Sequence, residues 1–65
     1  MSEISLGFED ISRFKAFCYI YSFIADDDGN PTQIVKRWKD VQQTTDYVWD
    51  GDTVTTTVVW ENIVT

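Results

Sequence analysis

A chain of 65 residues carries one domain at most, with a small core and a folding free energy of roughly 3–10 kcal/mol. A single cysteine, Cys18, excludes an intrachain disulfide, and the lack of histidine removes the usual zinc ligands, so packing and partners must supply the stability. Eleven acids against five bases give a net charge of −6, which disfavours binding to nucleic-acid phosphates or to an anionic membrane.

In chain order, residues 1–7 read as a flexible lead-in, with residues 8–65 forming a single small α+β domain. Met1 runs directly into Ser-Glu-Ile-Ser, without the basic and apolar segments of a secretion signal, and no run approaches the ~18–20 apolar residues of a membrane span. The expected location is cytoplasmic. From Phe8 to Ala25 no Gly, Pro or Asn interrupts the chain, a length ordinary for a helix and long for a strand. Ile11, Phe14, Cys18, Tyr21 and Ala25 follow helical spacing, and Glu9 and Asp10 suit a first turn with Gly7 as N-cap and Leu6 stapled to Ile11. The composition of Phe17 to Ile24, rich in aromatic and β-branched residues, argues instead for a strand. Both readings leave this segment with more apolar surface than one small layer can cover.

Asp26 to Asn30 read as a turn, with Gly29 free to take positive φ. Asn30, Pro31 and Gln33 then resemble a helix start, and Ile34, Trp38 and Val41, with Val35 beside them, form one apolar stripe. A strand over Thr32 to Lys39 is the competing reading. At the C-terminal end, Asp50-Gly51 is a hairpin signal that sets Tyr47 opposite Val54 and Trp49 opposite Asp52. Tyr47, Trp49, Val54, Val58 and Trp60 then share one face, and Val48, Thr53, Thr55, Thr57 and Val59 the other.

No constellation here carries chemistry. An EF-hand loop turning at Gly29 would begin at Ile24 and end at Val35, neither of which is a ligand, so Asp26, Asp28 and Asn30 read as a solvated turn. Asp50 and Asp52 flank a hairpin tip rather than a cleft. Cys18 has no histidine to activate it. Lys36, Arg37 and Lys39 flank Trp38 in the manner of a single-strand binder, yet the chain around them is anionic. Neither catalytic nor metal residues are expected, and no cofactor, small-molecule substrate, direct nucleic-acid contact or membrane contact.

The expected architecture is α+β: a long N-terminal helix and a short second helix packed on an antiparallel β-hairpin. The alternative is a three- to four-stranded antiparallel sheet with one helix. Surplus apolar surface without a staple points to a non-catalytic structural or assembly protein, working as a homo-oligomer or as a small component of a larger complex. Its interface would be Tyr19, Ile20, Phe23, Tyr47, Trp49 and Trp60, residue types that anchor protein contacts. All five bases precede Asp40, so the rest of the chain is purely acidic. That asymmetry supports an alternative, an acidic inhibitor or adaptor that covers a basic surface of another protein, such as a nucleic-acid enzyme, through Asp46, Asp50 and Asp52.

Overall fold

The computed structural model describes residues 2–3 and 7–63. The element order is β1 (Ser2–Glu3), α1 (Phe8–Phe17), β2 (Tyr19–Ala25), β3 (Pro31–Trp38), β4 (Val41–Asp50) and β5 (Thr53–Asn62). Strands β2 to β5 form an antiparallel meander, and β1 pairs outside β5, giving the order β1-β5-β4-β3-β2. The fold is α+β with one helix among the described residues. Of the lead-in expected over residues 1–7, residues 1 and 4–6, with the Leu6 staple, lie outside the described residues.

The long first helix is corrected to ten residues. Gly7 is its N-cap, Glu9 and Asp10 sit in its first turn and Lys15 in its last, as the macrodipole favours. It ends at Cys18, whose backbone is extended at φ −65°, ψ 158° and whose N–H bonds the Phe14 carbonyl. Tyr19-Ile20-Tyr21-Ser22-Phe23-Ile24 then continues as a strand. Helix spacing and strand composition thus each describe one half of the same uninterrupted run. The change comes where tolerable helix formers give way to aromatic and β-branched residues.

The second helix does not form. Residues 31–38 and 41–50 are two strands joined by a two-residue turn at Lys39-Asp40, with Trp38 opposite Val41. Thr32, Ile34 and Val35 are β-branched, and Ile34, Trp38 and Val41 share a sheet face as readily as a helix stripe. The turn lacks a glycine signal, and Lys39 takes φ 53° itself. Pro31 opens a strand rather than a helix, a position where its missing N–H is tolerated.

The C-terminal hairpin forms with its register corrected by two residues. Asp50 pairs with Thr53, Trp49 with Val54 and Tyr47 with Thr56. The turn residues are Gly51 and Asp52, and of the two only Gly51 has positive φ, +61°, as a II′ turn requires of its first central position. A shift of two preserves the side-chain alternation, so the expected division of the hairpin into two faces stands.

Candidate functional site

Residues opposite each other in the ladders place their side chains on one face of the sheet. Lys36, Gln43 and Trp60 share a face, as do Trp38, Val41 and Asn62, and Ile34, Thr45 and Val58. Helix α1 lies against one end of this face. Phe14 meets the Trp60 ring edge-on at 4.9 Å and 76°, and Phe17 stacks on Trp38 at 6.0 Å. An open cleft of about 310 Å³ lies beside it, lined by Phe14, Lys15, Cys18, Lys36 and Gln43.

Ten helical residues span about 15 Å, whereas each ten-residue arm of the β4–β5 hairpin spans about 34 Å. The helix therefore covers only part of its face. The remainder carries Phe23, Ile34, Thr45 and Val58 in one row, then Tyr47 and Thr56, then Trp49 and Val54, without a single charge. Phe23, Val54 and Val58 are exposed there. The opposite face is mixed: Val35 is buried there, Ile24 and Val48 are exposed, and the polar side chains among them bond one another. Arg37 Nε donates to Gln42 Oε1 at 2.8 Å, Gln42 Nε2 to Thr44 Oγ1 at 3.4 Å, and Gln33 Nε2 to Asp46 Oδ1 at 3.0 Å. Arg37 also lies 3.6 Å from the centroid of the Tyr21 ring.

Strand β2 forms the outer edge of the sheet beyond β3. It has no charged residue, and Tyr19, Ile20, Tyr21, Phe23 and Ile24 are between 50% and 61% exposed. Natural edge strands are commonly guarded by lysine, proline or a bulge. Here the guard is a bulge at Tyr21, between the pairs Ile20–Lys36 and Ser22–Val35.

The six residues expected at an interface fall into two groups. Tyr19, Ile20 and Phe23 lie exposed on β2. Tyr47, Trp49 and Trp60 are half-buried, Trp60 against Phe14 and Trp49 with its Nε1 donating to the Pro31 carbonyl at 2.8 Å. Tyr21 and Ile24 belong with the exposed group and were not expected there. Their signal is the charge-free run itself, legible only once residues 19–25 are taken as an edge strand. Of the acidic set, Asp50 and Asp52 are exposed at the hairpin tip, while Asp46 is half-buried and holds Gln33.

Asp26 organises the β2–β3 turn. Its Oδ1 accepts from the backbone N–H groups of Asp28 and Asn30 at 3.0 and 2.9 Å. Among the described residues no three His, Cys, Asp or Glu side chains converge as a metal site, and no helix is long and apolar enough to cross a membrane. No family model, curated protein or solved structure matches the chain.

Proposed function

We propose that this chain is a non-catalytic structural or assembly protein that works by association, as a homo-oligomer or as a small component of a larger complex. The observation that carries this reading is the uncharged edge strand β2, with five large apolar or aromatic side chains at least half exposed. Surface of this kind, continuous with the bare half of the helix-bearing face, marks contact with another macromolecule.

Sedimentation at increasing micromolar concentration tests the reading, with a reversible rise from monomer to oligomer expected. A monodisperse monomer throughout, together with no complex recovered from the native host, would overturn it. The exposed Asp50 and Asp52 favour a second reading, an acidic adaptor on a basic partner. Asp50→Lys with Asp52→Lys separates the two: self-association survives the change under the first reading, and capture of a basic partner is lost under the second.

A further inference from the structure

Resting on the assembly reading above, we propose that the partner at β2 is a second copy of this chain, its own β2 paired antiparallel about a two-fold axis to continue the sheet. The argument is the charge at the two ends of the strand. At its Tyr19 end lie Arg37, paired with Tyr19, Lys36, paired with Ile20, and Lys15 in the last turn of the preceding helix. At its Ala25 end the chain runs directly into Asp26, Asp27 and Asp28. Between the ends there is no charge at all.

Antiparallel pairing of two copies sets the acidic turn of each against the basic end of the other. Parallel pairing would set acid on acid and base on base. Lys36 and Arg37 stand one strand in from the edge, so about 10 Å separates their backbone from the partner's β2, close to a Debye length of about 8 Å; the attraction is weakened but not abolished at physiological salt. Lys15 and Lys36 are available for them: among the described residues neither has a carboxylate partner. A net charge of −6 per copy opposes association in general, and this geometry brings opposite charges together at the seam itself. The bulge at Tyr21 and a second irregularity between Ile24 and Ala25 bound a stretch, Ser22, Phe23 and Ile24, that holds regular register with β3 and offers a three-residue edge for the pairing. The five exposed side chains of β2 offer about 100 Å² each, so at most about 1,000 Å² over two copies, which just reaches the size of a specific interface.

Two double variants test the seam. Lys15→Glu with Lys36→Glu makes both ends acidic, and Asp27→Lys with Asp28→Lys makes both ends basic; Asp26 is kept because it caps the turn. Each variant alone, folded by circular dichroism, should self-associate at least about tenfold more weakly than the wild type, and an equimolar mixture should regain a 1:1 dimer. Should either variant fail to fold, a single cysteine decides: Phe23→Cys on a Cys18→Ser background should cross-link between copies under mild oxidation. A wild-type dimer whose variants still self-associate, or whose mixture regains nothing, overturns the β2 seam and leaves the assembly reading standing, as does a dimer that never cross-links at Phe23→Cys. A wild type that stays monomeric to hundreds of micromolar overturns the seam and self-assembly together, and a host complex recovered under those conditions would leave only the component form of the assembly reading.

Discussion

Phe14 is the only large side chain, among the described residues, that is almost wholly removed from water, at 1% exposure. It is held by the edge-on contact with Trp60 and by its place on the Ile11–Phe14–Cys18 stripe of α1. Removing the ring leaves a void that so small a core has few neighbours to close. Phe14→Ala should cost about 3–5 kcal/mol, against a total stability of similar size, so the variant should be largely unfolded in a denaturant melt. A melt like that of the wild type would place the core elsewhere. Trp60, half-buried from the other side of the same contact, keeps part of its surface in water, which is why the weight of this prediction falls on Phe14.

At the scale of elements, the turns decide the topology. The β2–β3 connection has five residues and is closed by Asp26, whose N–H bonds the Asn30 carbonyl, whose carbonyl accepts from Gly29, and whose Oδ1 accepts twice. Asp27 and Asp28 offer no side-chain bond to the turn among the described residues. Asp26→Ala should therefore destabilise the protein by about 1–2 kcal/mol, Asp26→Asn by less because its amide oxygen still accepts, and Asp27→Ala should be nearly silent. Thermal melts of the three variants give the order, and equal effects would mean that the turn is held by charge rather than by Oδ1. Three neighbouring aspartates look alike in a sequence, and only the backbone path singles one of them out.

For the whole molecule, the shape is open. The radius of gyration is 12.9 Å, against about 11 Å for a compact chain of this length, and the long axis is 35 Å against 20 and 22 Å across. One ten-residue helix cannot cover a five-stranded sheet, so apolar side chains remain in water on the free β2 edge and on the bare part of one face. A molecule built this way gains stability from association by mass action. Its melting temperature should rise by several degrees over a hundredfold increase in concentration, as a scan from low to high micromolar would register. A melting temperature independent of concentration would mean that the monomer is stable without help.

Composition and local patterning determined much on their own: an α+β chain, a C-terminal hairpin with its two faces correctly divided, a helix capped by Gly7, and an apolar excess around residues 16–25. These depend on residue type, alternation and capping, all local quantities. Where the first helix stops was decided only in three dimensions. The run from Phe8 to Ala25 contains no breaker, and the strand half is held by pairing with β3, a partner absent from any local window. The same holds for residues 31–50, where a helix-like stripe is resolved into two strands by ladders on both sides and by a turn at Lys39 that no glycine announces. Which of the aromatics stay outside follows from this as well, since exposure depends on strand order, and strand order is a property of the assembled sheet.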